Sequence, residues 1–214
     1  MFYFVKIPRW LKWLYKGCIW DIKTQEKSIY LTFDDGPHPT ITPFVLDELK
    51  KYQAKATFFC IGKNVAAFPE VFQRIIDEGH AIGNHTFNHL NGWKVSDEEY
   101  LNDIWDAKNH IDSPLFRPPY GRITRFQIKQ LQQKKYQLKV LMWNILSGDF
   151  DQKISKEVCA ENVILNTKEG AIVVFHDSEK AKERLSYALP KVLDYFANQG
   201  FEFKKIDQTT IAPI

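Results

Sequence analysis

The sequence predicts an α/β fold in which parallel strands are joined by crossover helices. Three observations carry this. Strand-like and helix-like segments alternate about seven times along the chain. The strand segments are near-continuous apolar runs, as strands buried on both faces are. Five of them run into ionisable residues at their C-terminal ends, and a parallel sheet gathers all such ends on one face. The alternation fits a closed barrel and an open sheet equally.

Ile29–Phe33 is β-branched, aromatic or aliphatic, reads as a buried strand, and stops on Asp34-Asp35-Gly36-Pro37. A helix follows to about Tyr52, with Thr42 as its cap and Pro43 at its first position. Lys55–Ile61 is a second strand, ended by Gly62. Phe68–Gly79 is a helix with Pro69 near its start. His80–Gly83 is a third strand. Ser96-Asp-Glu-Glu99 reads as a capping box opening a helix to about Ile111. Leu115-Phe116 is a minimal fourth strand. Thr124–Lys134 is helical, Gln137–Trp143 a fifth strand, and a helix from about Ser155 ends before Gly170. Ala171–Phe175 is the sixth strand, Arg184–Gln199 a helix, and Phe201–Lys205 the last strand.

The 214 residues fit one domain, and 44% apolar content supports a sizeable core. A net charge of +3 from 29 basic and 26 acidic residues is too balanced for a nucleic-acid partner. Cys18, Cys60 and Cys159 are widely spaced and form neither a metal-type pair nor a disulfide framework. Residues 1–27 are expected to pack on the barrel as an N-terminal cap or extension, with 28–214 as the main domain. Met1–Trp20 mixes aromatic and basic residues, so weak membrane-surface contact is the other reading of it. Its apolar runs are too short for a signal-peptide core or a membrane span. The expected location is cytoplasmic or associated with the cell envelope.

The chemistry collects at the strand ends. Asp34 and Asp35 repel each other unless a cation or an arginine lies beside them. His85 and His89 are four residues apart, so one helical turn would put both imidazoles on one side. Zinc catalysis uses three protein ligands and an open position; Asp35 can supply the third and leave Asp34 as a base. Arg117, between an apolar strand and two prolines, would orient Asp34. A backbone N–H at Tyr120-Gly121 could face the reacting centre. His176 could act as a general acid, with Asp149 bonded to its ring and raising its pKa. His38, His80 and His110 are read as structural. Trp93 and Trp143 fit either a cleft wall or the core.

Thr32-Phe-Asp-Asp-Gly36, His85-Thr-Phe-Asn-His89, Arg117-Pro-Pro-Tyr120, Trp143 through Asp149-Phe150, and Val174-Phe-His-Asp177 occur in this order. Together they resemble the polysaccharide deacetylase family, the NodB-homology domain of carbohydrate esterase family 4. The resemblance covers roughly Ser28–Lys205. It implies a distorted (β/α)7 barrel, a metal triad of Asp35, His85 and His89, and Asp34 as catalytic base tuned by Arg117. It implies an oxyanion N–H from Tyr120 and His176 as catalytic acid assisted by Asp149. Pro119, Trp143 and Phe150 would join Tyr120 among the oxyanion and substrate contacts. The fourth motif departs from the usual pattern: Phe150 stands where tryptophan is usual, and Leu146 replaces an aspartate.

The implied activity is hydrolysis of N-acetyl groups on N-acetylglucosamine-containing glycans by a monomer with one divalent metal ion. Zinc is the expected ion, with cobalt or nickel as substitutes. The alternatives are a related metal-dependent amidase, an O-acetyl esterase, or a catalytically impaired glycan-binding module.

Overall fold

The computed structural model describes residues 3–211. In chain order the elements are α1 (Arg9–Leu14), β1 (Cys18–Ile19), β2 (Ser28–Asp34), α2 (Ile41–Lys51), β3 (Thr57–Cys60), α3 (Gly62–Ala67), α4 (Pro69–Asp77) and β4 (Ala81–Asn84). There follow α5 (Asp97–Lys108), β5 (Leu115–Phe116), a 3-10 turn at Pro119–Gly121, α6 (Arg125–Leu131), β6 (Lys139–Leu141) and β7 (Ile145–Leu146). The chain closes with α7 (Lys156–Ile164), β8 (Ile172–His176), α8 (Lys182–Asn198) and β9 (Glu202–Phe203).

The strands form one curled sheet in the order β1-β6-β5-β4-β3-β2-β8-β7, with β9 paired to the start of β2. Every ladder between these strands is parallel. β2 sits near the middle and is buried along its whole length, which is why it reads as an unbroken apolar run rather than an alternating one. Its outer layer comes largely from α2, α7 and α8, whose Val45, Leu46, Leu49, Val163, Leu189 and Val192 share a core with Ile29, Leu31 and Phe33.

β6 and β7 are consecutive in the chain yet lie toward opposite limits of the sheet, β6 next to the edge strand β1 and β7 at the other edge. The N-terminal segment lies between them. Val5 O accepts from Leu146 N at 2.8 Å, Lys6 bridges Ile145, and β1 pairs with β6. Neither β1 nor β7 is expected from the sequence, because two residues are too few to show a period. The expected strand at 137–143 is regular only over Lys139–Leu141. The chain leaves the sheet as the Met142 and Leu141 carbonyls turn to a buried arginine.

The first helix expected from the sequence, α2, begins earlier than its cap signal implies. Ile41 opens α2 and Thr40 precedes it, so Pro43 is the third residue, where the missing N–H still has no intrahelical partner. Thr42 is not the cap: its hydroxyl donates to Asp177 and accepts from His38 N. Ser96 does cap α5, accepting from Glu99 N at 3.1 Å. Thr124 and Gln127 form a full capping box on α6.

One expectation about local structure is overturned. Residues 85–89 are not helical; they form an irregular loop after β4, with Thr86 at φ 64° and His89 at φ 60°. Buried side chains hold it there. Asn84 Oδ1 accepts from Thr86 N at 2.8 Å. Asp103 on α5 accepts from Phe87 N and Asn88 N at 3.0 Å each, and from Asn88 Nδ2 at 2.7 Å. Three donors on one carboxylate offset the strain of a β-branched residue at positive φ. Asp103→Ala leaves those donors without their partner, at a cost of about 1–3 kcal/mol. The expected outcome is a lower Tm together with faster amide exchange confined to residues 85–90, read by hydrogen–deuterium exchange. Unchanged exchange there would mean the loop holds without Asp103.

Candidate active site

Sheet register assembles the site. Asp34, the last residue of β2, is level with His176 at the end of β8 on one side and with Phe59 on the other. Asn84 ends β4 level with Phe116 of β5, so His85 and Arg117 are the next residues out. The ladder continues beyond the strands, with Arg117 N donating to Asn84 O at 3.0 Å and His85 N to Cys60 O at 2.9 Å. Four separate strands thus deliver their polar residues to one lip.

Arg117 is fully buried. Its guanidinium donates to Asp34 Oδ1 and Thr32 Oγ1 at 2.7 Å each, to Met142 O at 2.9 Å and to Leu141 O at 3.3 Å. It stacks over Phe59, 4.1 Å from the ring centroid. Burial lowers the guanidinium pKa, and the Asp34 charge opposes that. A guanidinium with this many acceptors fixes the Asp34 carboxylate in one orientation. Oδ2 of Asp34 has no protein donor among the described residues.

Asp35 sits at φ 82° in the turn after β2, its carbonyl held by Asn64 Nδ2 at 2.7 Å. Its Oδ1 is buried without a hydrogen bond, although His89 Nε2 lies 3.1 Å away and His85 Nε2 3.8 Å away. The ligand atoms of Asp35, His85 and His89 all fall within 4.8 Å of one another. Burial alone would raise the Asp35 carboxyl pKa; His89, with the charges of His176 and His85, holds it well below the usual carboxylate range. His85 is the converse. Burial lowers it to about 4, which keeps the imidazole neutral. Its Nδ1 lies 2.7 Å from the Arg117 carbonyl and must donate there, so Nε2 presents a lone pair toward Asp35. His89 Nδ1 is 3.1 Å from the Tyr120 hydroxyl, which leaves its Nε2 for the same point. A buried, unpartnered carboxylate oxygen beside two converging imidazole nitrogens is a donor set that fits a divalent cation such as zinc, and each imidazole has an outer partner that orients it.

His176 lies across the lip. Its Nδ1 and its backbone N both meet the Asp149 carboxylate, each at 2.7 Å. Asp149 is fully buried, and Arg184 Nε donates to its carbonyl at 2.6 Å. Burial would lower the His176 pKa, but the Asp149 charge and hydrogen bond, with Asp35 and Asp34, raise it to about 9. The imidazolium is therefore the form this site favours. Phe150 sets its ring edge-on to His176, with centroids 5.2 Å apart.

Of the remaining expected residues, Tyr120 packs on His89 and Trp143 lies beside the Arg117 guanidinium. Pro119 is buried at the start of the 3-10 turn, and Tyr120 follows at φ 59°, 58% exposed. Trp143 packs so closely on Gly121 that a Cβ there would come 2.8 Å from the indole. Leu146 is buried in β7. His38, His80 and His110 stay outside the cluster. His38 Nδ1 accepts from Thr40 N and Ile41 N, and His80 Nδ1 from Ala56 N. Trp93 is 52% exposed, with Arg122 over its ring.

Sequence reading missed several supports. Asp177 appears in the fifth motif without a role. It is fully buried and takes the Gly36 N–H at 3.0 Å and the Thr42 hydroxyl, while its own N–H donates to Asp34 O. Gly36 is required there, since a Cβ would meet Asp177 Oδ2 at 2.1 Å. Asn64, Asn84, Asp103 and Arg184 act from helices or strand ends, and none of the four lies inside a motif that marks it. The Tyr120 side chain, reaching His89, was expected to contribute only its backbone.

Comparison with known proteins gives the same arrangement a lineage. The family model described as polysaccharide deacetylase matches residues 21–139. A peptidoglycan-N-acetylglucosamine deacetylase of Bacillus cereus is 39% identical over 194 residues, covering 88% of this chain and 91% of that one. The Listeria monocytogenes enzyme PgdA is 32% identical over 85% of this chain, which spans 38% of that longer protein. Among solved structures, the Bc1960 peptidoglycan N-acetylglucosamine deacetylase superposes with a TM-score of 0.84 at 30% identity, covering 94% of this chain and 95% of that one. With its parallel curled sheet, its ordered motifs and these relatives, the chain belongs to the polysaccharide deacetylase family, the NodB-homology deacetylases of carbohydrate esterase family 4.

Proposed function

We propose that this chain removes N-acetyl groups from N-acetylglucosamine-containing glycans of the peptidoglycan or chitin-oligosaccharide type, acting as a monomer with one zinc ion held by Asp35, His85 and His89. The observation that carries the reading is the level placement of Asp34 and His176 on neighbouring strands beside that cluster, each fixed by a buried partner of opposite charge. The relatives named as peptidoglycan and chitooligosaccharide deacetylases support the substrate class.

A divalent cation at Asp35, His85 and His89 supplies Lewis-acid polarisation of the acetyl carbonyl and acidifies water. The chain's own groups do the rest. Asp34, oriented by Arg117, takes the proton of the attacking water through its free oxygen. The Tyr120 backbone N–H donates to the developing oxyanion, a contribution of about 2.7–4 kcal/mol for one well-placed donor. His176, kept protonated by Asp149, gives its Nε2 proton to the departing nitrogen, since an unprotonated amine anion does not leave. The products are acetate and a free amino sugar. Pro119, Trp143 and Phe150 shape the pocket around the acetyl group.

The proposed outer contact of residues 1–20 is with a membrane surface. Ile7 N bonds Asn144 O just before β7, and α1 turns into β1 through Cys18 N and Tyr15 O. Both ends of α1 therefore lie at the N-terminal ends of strands, opposite the reaction site. Trp10 and Trp13 are 57% and 66% exposed there, beside exposed Arg9 and Lys16. No helix of the described residues is long and apolar enough to cross a membrane. A bilayer under α1 would leave the site open on the far side, with the marginal affinity of a single interfacial segment.

Metal-stripped protein is expected to release acetate from N-acetyl-chito-oligosaccharides only after zinc is restored, and Asp34→Asn to lose at least about a hundredfold in kcat with zinc still bound. Zinc-loaded protein that releases no acetate from either chito-oligosaccharides or peptidoglycan would sink the substrate assignment. The pH profile tests the acid. His176 is protonated below about 9 and loses its proton above that, so activity falls on the alkaline side. Asp149→Asn removes the charge that raises it, and the alkaline limb is expected to move to lower pH. A limb that stays in place would assign the acid elsewhere. For the outer contact, co-sedimentation with anionic vesicles is expected to exceed that with zwitterionic ones, and to be lost in Trp10→Ala/Trp13→Ala. Equal recovery of parent and variant would exclude α1 as the contact.

A further inference from the structure

One residue at the far N-terminus reaches the acid's loop. Tyr3 precedes the segment that Val5, Lys6 and Ile7 tie to β7 and Asn144. That anchorage sets the Tyr3 ring edge-on against Phe150, centroids 5.2 Å apart at 60°. Phe150 in turn meets His176 at the same centroid distance and 73°. The Tyr3 hydroxyl lies within reach of the Asp151 charge. It also lies against Gly148, whose φ is +80° and where a Cβ would come 2.9 Å from that oxygen. Burial, then Asp151, push the phenol pKa up to about 12, so it remains a donor. The turn itself is tight, with Asp151 N donating to Gly148 O at 2.9 Å. Between those two residues lie Asp149, which holds both the ring and the backbone of His176, and Phe150, which packs edge-on against that ring.

We propose that Tyr3 is a positioning residue of the reaction site, packing its ring on Phe150 and its hydroxyl on Gly148 and so fixing the His176 imidazole through the turn that carries Phe150 and Asp149. The site then draws on the N-terminal segment as well as on the strand ends. The fourth motif's departure at Phe150 acquires a physical reason. A phenylalanine is smaller than the tryptophan usual there, and the Tyr3 ring packs edge-on against it. The two rings stand in series, Tyr3 on Phe150 and Phe150 on His176. Packing, not charge, is the larger part, because an edge-on aromatic pair restricts both rings and adds attraction beyond simple burial. This inference rests on the deacetylase reading for its kinetic consequence, though not for its structural one.

The test uses the zinc-loaded full chain with Tyr3→Ala, Tyr3→Phe and the double variant Tyr3→Ala/Phe150→Trp. Tyr3→Ala is expected to lower kcat about ten- to a hundredfold, the scale of a small misplacement of a reacting group, with KM and zinc stoichiometry unchanged. Tyr3→Phe keeps the ring and is expected to retain most of kcat. The double variant is expected to recover much of the loss, because the larger indole refills the space. A second readout needs no turnover. The hydrogen-bonded Nδ1 proton of His176 is expected as a low-field NMR signal in the parent and in Tyr3→Phe, and broadened by solvent exchange in Tyr3→Ala. An unchanged signal in Tyr3→Ala overturns the proposal whether or not acetate is released. So does wild-type kcat in that variant, or a loss that neither Tyr3→Phe nor Phe150→Trp spares. A parent chain that shows the broadening in Tyr3→Ala but releases no acetate keeps Tyr3 in this role and removes the substrate reading instead.

Discussion

The site depends on the buried pair between Arg117 and Asp34. Removing both charges from water costs several kcal/mol per ion, and one contact alone would not offset that. Here the guanidinium also donates to Thr32 and to the Leu141 and Met142 carbonyls, and rests on Phe59. Those carbonyls are free because the chain leaves β6 at that point. The irregular end of β6 and the buried arginine are thus one feature: each supplies what the other lacks. Arg117 reaches further through its own carbonyl, which accepts from His85 Nδ1. A single residue therefore orients Asp34 with its side chain and sets the tautomer of a candidate metal ligand with its backbone.

Backbone strain is concentrated at the same lip. Of the six non-glycine residues with positive φ among those described, Asp35, Thr86, His89 and Tyr120 belong to the site. Each such residue costs roughly 1–3 kcal/mol and persists only when its surroundings determine it. The determinants are identifiable. Asn64 holds the carbonyl of Asp35, Asn84 the N–H of Thr86, and Asp103 the two amides that follow. These residues touch no candidate reacting group, yet without them the imidazoles would not converge.

That explains how much of the molecule was legible in its sequence. Long buried strands and capped helices follow from local rules, so β2, β3, β8, α5 and α6 appear near their expected places. The site residues were legible as a set, because polar residues at the ends of apolar strands are conspicuous. Their geometry was not. The spacing of His85 and His89 suggested a helical turn, and the loop that replaces it uses a β-branched residue at positive φ, which no propensity favours. The cap of α2 was misplaced because Thr42, a good capping residue, instead serves Asp177 through contacts that only the tertiary fold creates. β1, β7 and the reach of Tyr3 across to Phe150 are long-range pairings of very short segments, and local pattern has nothing to report about them.

Charge pairing at the lip also indicates where a cation belongs. Four aspartates meet there: Asp34, Asp35, Asp149 and Asp177. Asp34 is paired with Arg117 and Asp149 with His176. Asp177 accepts from Gly36 N and the Thr42 hydroxyl, and burial first of all raises its pKa to about 7, so it carries its charge only in part at neutrality. Asp35 alone of the four has a buried oxygen with no hydrogen bond, and the more deeply buried of its two imidazole neighbours, His85, is kept neutral by its own burial. A neutral imidazole does not balance a carboxylate, but it does offer a lone pair. The pairing that quiets three of the acids leaves the fourth as the one place where a divalent cation gains a charge and two nitrogen donors at once. That place lies on the same strand lip as the Asp34 carboxylate that Arg117 orients and the His176 imidazole that Asp149 holds.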